Sequence, residues 1–225
     1  RKTVGISDCE PDITALLPLL REKSKYTLVK LSPMLDWHEA MRSINTIKRC
    51  VTEIHVVASD GECKELLFVL GDEDLSVSPM IYCSDGVSSF SFRPEDEEQC
   101  VYAIVSAPNI YIYEPNAAIM KAGAFKSVGQ RYGLQKLHKN SHLYTSNSKV
   151  DMFPGRCFRL IEVDGFSKQE VKRLVGRRAN LTIRNFPESA ATLRRRLRLT
   201  DGGDEYWFAT TLADNRKVIL RCTKA

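Results

Sequence analysis

The last third of the sequence narrows the possible folds most, because strands and capped helices alternate there in a clear order. Ser167 precedes a predicted helix over residues 168–174, with Glu170 completing a capping box, and Ser189 precedes a second predicted helix over 190–199. Strand-length apolar runs occupy residues 156–163, 179–186, 205–212 and 216–223. The resulting order, β-α-β-α-β-β, predicts a small α+β sandwich.

The first hundred residues have a different pattern. A strand is predicted at 26–31, a helix from Asp36 to Thr46 and a second strand at 53–59, and this order favours a βαβ unit in a parallel sheet. Residues 62–70 fit either a short helix or a strand. A hairpin around Ser84-Asp85-Gly86 follows.

Between these regions, residues 110–115 predict a strand. Residues 116–133 predict one amphipathic helix, with Asn116 as its cap and Gly133 as its stop. The polar stretch 138–154 indicates a loop or linker.

Composition excludes several classes of protein. The chain has 225 residues, of which 43% are apolar and 27% charged, so it is neither disordered, collagen-like nor a disulfide scaffold. This length fits one large domain or two to three small ones. The longest apolar runs, such as residues 66–70, are far shorter than the ~20 residues of a membrane-spanning helix, so no membrane insertion is expected.

The seven cysteines form no CxxC pair and no Cys/His group with zinc spacing, so we expect no metal site. They predict reduced, mostly buried thiols in a cytoplasmic protein. Cys63, next to Lys64, is the candidate for a reactive thiol, although the glutamates around it oppose activation.

Positive charge is concentrated near the C-terminus. Residues 1–150 hold 17 basic and 19 acidic residues, whereas residues 151–225 hold 16 basic and 9 acidic. This asymmetry indicates a polyanionic partner, above all nucleic acid, or else a solvated basic face. Basic residues interleaved with aromatic ones suit phosphate contacts and base stacking. The candidate RNA-binding residues are Lys121, Lys126, Arg131, Lys136, Lys139, Arg184, Arg194, Arg195 and Arg196.

A second candidate site follows the strand at 26–31. Ligands of parallel α/β sheets bind beyond the carboxyl ends of the strands, where Lys30, Ser32 and Asp36 are expected to lie. Glu62, just after the next strand, is expected at the same rim. The alternative is an ordinary strand-to-helix turn in which Asp36 only caps the helix. The sequence contains no GxGxxG or GxxxxGK[ST] phosphate loop.

A series of segments taken in order resembles the C-terminal portion of class I SAM-dependent methyltransferases that carry a THUMP-like domain. The segments are DCEPDIT (8–14), VKLSPMLD (29–36), GECKELL (61–67), YEPNAAIMKAG (113–123), KLHKNSHLYTS (136–146), FPGRCF (153–158), IRNFPESAATLRRRL (183–197) and DGGDEYWFATTL (201–212).

The resemblance implies a fold of class α/β plus α+β in three parts. Residues 1–98 would be the second half of a Rossmann-like methyltransferase sheet, 99–152 a small ferredoxin-like linker module, and 153–225 a THUMP-like domain. In this family the glycine loop that binds S-adenosylmethionine (SAM) lies upstream, so the resemblance predicts that this chain is a fragment and inactive alone.

The function expected from this resemblance is methylation of structured RNA such as tRNA, with SAM as the cofactor of the parent protein. Lys30, Ser32, Pro33 and Asp36 would lie near the target nucleotide, with Glu62 a weaker candidate. Two alternatives remain open. In the first, the chain would be a non-catalytic RNA- or protein-binding module. In the second, its parent protein would methylate a protein or small molecule.

Overall fold

A computed structural model describes residues 5–46, 48–71 and 76–225. The chain forms two compact units. The first comprises Arg1–Cys100 and Asn116–Ser127, and the second comprises Val101–Pro115 and Val128–Ala225. The chain therefore enters the second unit twice.

Helices and strands are numbered in the order in which they occur along the chain. Up to residue 100 the chain forms α1 (Ile13–Lys23), β1 (Tyr26–Leu31), α2 (Trp37–Ile44), β2 (Val51–Ser59), β3 (Glu62–Gly71), β4 (Met80–Ser84), β5 (Ser89–Phe92) and α3 (Pro94–Gln99). From residue 101 onwards it forms β6 (Tyr111–Pro115), α4 (Ala117–Ala122), α5 (Ser127–Arg131), β7 (Gln135–Lys136), β8 (Tyr144–Ser146), β9 (Gly155–Gly165), α6 (Lys168–Leu174), β10 (Asn180–Arg184), α7 (Ala190–Leu197), β11 (Glu205–Thr211) and β12 (Lys217–Lys224).

The five strands of the first unit form a sheet in the order β1-β3-β2-β4-β5. β1 and β2 do not pair, because β3 lies between them and is antiparallel to both; β2 and β4 form a parallel pair. The prediction of a parallel βαβ sheet is therefore wrong. The reason is local: Asp60 and Gly61 both have positive φ, and this tight turn folds residues 62–71 straight back as a hairpin.

The two faces of this sheet differ. One face buries Val29, Phe68, Val56 and Ile81, and α1 and α4 pack against the sheet. On the other face, Tyr26 is 63% exposed and neighbouring residues are exposed or half-exposed. We call this second surface the open face.

The single helix predicted over 116–133 is wrong. Asn116 caps α4 as expected, its side chain accepting from the Ile119 N–H at 2.9 Å, but α4 ends at Gly123 with φ +80°. A residue in this left-handed conformation terminates a helix, and glycine adopts it without strain. The chain resumes as α5 and stops before Gly133, which also has positive φ.

The second unit contains a seven-stranded sheet in the order β10-β11-β12-β9-β6-β8-β7. β10 is parallel to β11, and the other pairs are antiparallel. The predicted β-α-β-α-β-β order of its last part is confirmed. The Ser167–Glu170 capping box and the Ser189 cap are confirmed as well.

Both faces of this sheet carry a core. Leu193, Leu197 and Trp207 belong to the core beneath α6 and α7, whereas Phe158 and Phe208 belong to the core on the other face. The stretch 138–154 is not a linker, because it supplies β8, which pairs with β6. Apolar Leu143 and Tyr144 inside this polar stretch are fully buried and hold it in the unit.

The fold-class prediction is confirmed, since the chain has two mixed sheets and α+β modules. The exact three-part division stays a prediction. Among the described residues, no helix is both long and apolar enough to cross a membrane.

Candidate functional site

The rim beyond β1 is built by a short turn that leads into α2. The Ser32 hydroxyl accepts a hydrogen bond from the Met34 N–H at 3.2 Å. Asp36 Oδ1 accepts from the N–H groups of His38 at 2.8 Å and Glu39 at 3.2 Å, so Asp36 caps the helix as predicted.

The cap determines the charge state of Asp36. Partial burial raises the pKa of this carboxyl, but the two backbone N–H donors and His38 outweigh burial, and the pKa ends below its ordinary value. Asp36 is therefore ionised at neutral pH and serves better as a hydrogen-bond acceptor than as a base.

Lys30 and Glu62 take part in surface ion pairs. Lys30 Nζ lies 2.9 Å from Glu65 Oε1, and Lys64 Nζ lies 2.7 Å from Glu62 Oε2. The hydrogen bond from Lys64 lowers the pKa of Glu62. Lys30 belongs to the open face of the sheet, since Val29 and Leu31 on either side of it are buried on the helix-covered face.

A cleft of about 390 Å³ opens where the start of α2 meets the end of α4. Lys121 Nζ donates to the Leu35 carbonyl at 2.8 Å, and the Trp37 indole N–H donates to the Ala122 carbonyl at 3.2 Å. These two bonds fasten the walls together. We call this the Trp37 cleft; it is lined by Met34, Asp36, Trp37, His38, Met120, Lys121, Ala122, Gly123 and Phe125.

The Trp37 cleft brings together Asp36 and Lys121, which the sequence assigns to separate sites. It also contains residues that sequence reasoning did not assign to a site, among them Met34, His38 and Phe125. His38 lies on Trp37 with ring centroids 3.5 Å apart. The available signal is the aromatic pair directly after the Asp36 cap, which helical periodicity alone does not distinguish from ordinary helix residues.

Cys63 does not have the properties of an activated thiol. Burial raises its pKa, and this effect outweighs the opposing charge of Lys121. An activated cysteine requires a lowered pKa. All seven cysteines are free thiols, and Cys50, Cys83 and Cys222 are buried.

The C-terminal part of the second unit presents basic residues where α6 and α7 end side by side. The Gly176 N–H donates to the Leu197 carbonyl at 2.8 Å, and the Thr200 N–H donates to the Arg177 carbonyl at 3.0 Å. These bonds hold the two helix ends together. The exposed cations around them, which we call the helix-end cluster, are Lys172, Arg173, Arg177, Arg195 and Arg198.

The three consecutive arginines of α7 have different environments. Arg194 pairs with Asp201, and Arg196 pairs with Glu188. Arg195 is exposed, since Leu193 and Leu197 bury the opposite side of the helix. Arg195 is thus the member of the triplet best placed to meet a ligand.

The other predicted RNA contacts are scattered. Lys126 Nζ donates to the Glu98 carbonyl at 3.2 Å, while Arg131 and Lys139 are exposed. Lys136 is only 2% exposed and donates to the Lys139 carbonyl at 3.0 Å. This burial contradicts the prediction that Lys136 contacts RNA. The sequence does not reveal this burial because lysine is a residue type that is almost always exposed.

Arg184 has a structural partner. The buried Glu114 carboxylate accepts from Arg184 Nε at 3.0 Å and from Arg156 Nε at 3.0 Å, with further bonds to the terminal nitrogens of both arginines. Two guanidinium groups thus share one carboxylate that is 3% exposed. Arg184 is held in place by this arrangement.

Comparison with known proteins identifies the modules. Residues 111–154 match a family described as a ferredoxin-like domain, and residues 155–224 match a family described as THUMP domain-like. The chain therefore contains a ferredoxin-like domain followed by a THUMP-like domain. No curated protein matches the chain.

Among solved structures, the chain is similar to the "putative methyltransferase from Porphyromonas gingivalis W83". The two are 40% identical and superpose with a TM-score of 0.92 over 99% of this chain, which spans 57% of the length of that protein. The resemblance seen in the sequence segments is thereby confirmed.

Proposed function

We propose that this chain is the RNA-binding, C-terminal part of a SAM-dependent methyltransferase that acts on structured RNA such as tRNA. The observation that carries the proposal is the exposed helix-end cluster on a THUMP-like domain. Residues 167–201 hold ten basic and three acidic residues, so positive charge is concentrated around these helices. The similarity to a protein called a methyltransferase supports the reaction class.

The cofactor proposed for this reaction is SAM, whose sulfonium supplies the methyl group. The residues of this chain do not fit a SAM cradle. The sequence lacks a glycine-rich phosphate or cofactor loop, and the two most tightly packed glycines, Gly155 and Gly165, lie against Glu114, Pro115 and Glu170 of the same chain. We therefore propose that SAM binds to polypeptide beyond this chain.

The rim residues are proposed to position the target nucleotide. Ser32 and Asp36 present oxygen atoms, and Pro33 fixes the turn between them. Lys30, on the open face of β1, and Glu62, at the start of β3, stay in the proposal. Correct orientation of the nucleophile is a large part of the catalysis of such a transfer.

The helix-end cluster is proposed to hold RNA phosphates. Lys172, Arg177 and Arg195 are exposed and form no ion pair with a carboxylate within the described part of the chain. Each phosphate contact releases condensed counterions, so affinity should fall steeply as salt rises. Lysine and arginine in the last turn of a helix also interact favourably with the negative end of the helix dipole. That interaction by itself would explain their position.

Fluorescence anisotropy tests this proposal. The chain is titrated into labelled tRNA and into a matched DNA duplex at several salt concentrations. Tighter binding to tRNA with a steep salt dependence is expected. Equal binding to both nucleic acids would contradict recognition of structured RNA.

A matched pair of triple variants locates the binding surface. Lys172→Ala/Arg177→Ala/Arg195→Ala should weaken tRNA binding and lower the salt slope by roughly 0.7–0.9 per lost contact. The control, Lys149→Ala/Arg159→Ala/Lys217→Ala, removes the same charge from exposed positions elsewhere in the second unit. Equal losses in both variants would mean that only net charge matters.

A non-catalytic RNA-binding module is the second candidate, favoured by the missing glycine loop. Calorimetry of the chain with SAM separates the two descriptions of this chain, since micromolar binding would show a cofactor site within it. A cytoplasmic location is part of the proposal and is supported by the seven free thiols.

A further inference from the structure

The Trp37 cleft combines an aromatic surface with one anionic and one cationic group, and of its lining residues the proposed function uses only Asp36. We propose that it binds a single unpaired nucleobase. This inference rests on the proposed function, because it names the part of the RNA that reaches the rim of the first sheet.

The aromatic surface suits stacking. The His38 ring lies on the Trp37 ring at 3.5 Å with an angle of 24° between the planes, so one of its faces is covered. Its side chain is nevertheless 56% exposed, which leaves the opposite face open. Bases stack on such rings largely irrespective of their sequence.

Met34 extends this surface. Met34 is 82% exposed at the edge of the cleft. At that exposure its side chain contributes little to the packing of the fold. A flexible, polarisable thioether contacts the edge or face of an aromatic ring favourably. Met34 and His38 therefore offer two apolar contacts to one planar ligand.

The polar groups suit the hydrogen-bonding edge of a base. Asp36 Oδ1 is used by the helix cap, whereas Oδ2 accepts no hydrogen bond from any described residue. Lys121 gives one of its three N–H donors to the Leu35 carbonyl, and the other two donate to no residue in the described part of the chain. Nucleobases carry donors and acceptors along the same edge, which one carboxylate oxygen and one ammonium group complement.

The cleft also has its own optical reporter. Trp37 and Trp207 are the two tryptophans of the chain, and Trp207 is fully buried in the core under α6 and α7. A base that stacks on His38 should change the emission of Trp37 and leave that of Trp207 unchanged.

The experiment titrates the whole chain with AMP, GMP, CMP and UMP and records tryptophan emission. Fluorescence is excited at the red edge of tryptophan absorption, where nucleotides do not absorb. A saturable change at millimolar nucleotide is expected. Ribose 5-phosphate, which lacks a base, should give none. A response of equal size to ribose 5-phosphate, or no response to any nucleotide, would overturn the proposal.

Two histidine variants place the site. His38→Ala should weaken nucleotide binding by about five-fold or more, in the range that one lost base stack provides. The control is His55→Ala, since His55 also stacks on an aromatic ring, Tyr82 at 4.8 Å, and pairs with a carboxylate, Glu53 at 2.8 Å. Equal weakening by the two variants would overturn the assignment to the cleft.

A further variant identifies the reporter. Trp37→Phe should abolish the optical response, with circular dichroism confirming that the variant is folded; a response that persists would assign it to Trp207 and overturn the proposal. Anisotropy with tRNA remains an independent readout of the helix-end cluster. Nucleotide binding without tRNA binding would therefore contradict the proposed function alone, and the reverse would contradict the cleft alone.

Discussion

The two sheets of this protein differ in how they use their faces. The seven-stranded sheet has a core on each face, with Trp207 on one side and Phe208 on the other. The five-stranded sheet buries one face and leaves Tyr26 and Leu28 about two-thirds exposed on the other, at 63% and 65%. The second unit thus completes its own layers, whereas the first leaves a sheet face that includes the apolar residues Tyr26 and Leu28 in contact with water.

This difference has a functional side. In the THUMP-like part, the helices whose ends present the cations pack on a core of buried residues. The rim of the first unit depends on a few local bonds, chiefly the Asp36 cap and the Lys121–Leu35 contact. Mutations on the two sheets should therefore have very different costs.

The largest effect is expected for Phe208→Ala. Phe208 is 1% exposed and contacts Phe158 edge-on at 5.0 Å, so the variant leaves a cavity in a dense core. Urea unfolding should show a loss of about 3–5 kcal/mol. Leu28→Ala on the open face is the control and should cost less than about 1 kcal/mol. Equal losses would break the distinction between a closed and an open sheet.

A smaller effect is expected for Glu114→Gln. The variant leaves Arg156 and Arg184 without their shared counter-charge, and both guanidiniums retain some access to water. We expect a loss of about 2–3 kcal/mol in the free energy of unfolding, below the range for fully buried pairs.

The control for this variant is Asp204→Asn, which removes one carboxylate charge from an exposed position of the same unit. This variant should leave the free energy of unfolding almost unchanged. If both variants cost the same, the buried Glu114 network does not contribute to the closed character of the second unit.

The smallest effect concerns His142, which is half-buried in the second unit. Burial, followed by the charges of Lys136 and Arg184, lowers its pKa from 6.5 to about 4. The unfolded chain therefore binds the proton more readily, and stability falls as the pH drops from about 6.5 towards 4. His142→Asn should remove about 1–2 kcal/mol of this pH dependence, after allowance for partial exposure.

Asparagine is the appropriate replacement because His142 has φ +53°, a conformation that asparagine tolerates. Unfolding is measured for both proteins between about pH 4.5 and 7.5. This range covers most of the interval between the folded-state pKa of about 4 and the unfolded-state pKa of 6.5 and extends above it. Parallel pH profiles would show that His142 titrates in the folded chain as it does in the unfolded one.

Much of the local structure is predictable. Asp36, Asn116, Ser167 and Ser189 are all predicted caps, and each accepts the expected backbone hydrogen bond. Such bonds join residues two or three positions apart, so the sequence contains both partners. The succession of strands and helices along the THUMP-like part is predictable for the same reason, since turns and caps mark each boundary.

The candidate sites are predictable only in part. The sequence singles out both Asp36 and Lys121 but not the cleft that joins them, because Lys121 contacts the chain 86 positions away at Leu35. Lys136 is predicted to contact RNA because it is one of several basic residues interleaved with aromatic ones, whereas its burial depends on the packing around β7. Arg195 differs from Arg194 and Arg196 only through carboxylates that lie seven or eight residues from the latter two.

Local sequence signals are sufficient to locate the starts of helices, the residues apolar enough to form two cores, and the region where positive charge accumulates. Only the folded chain establishes that β3 is inserted between β1 and β2, that one face of the first sheet stays open, and which cations remain exposed. The two kinds of information differ in range. Caps, turns and periodicity act between near neighbours, whereas strand order, burial and ion pairing depend on residues that only folding brings together.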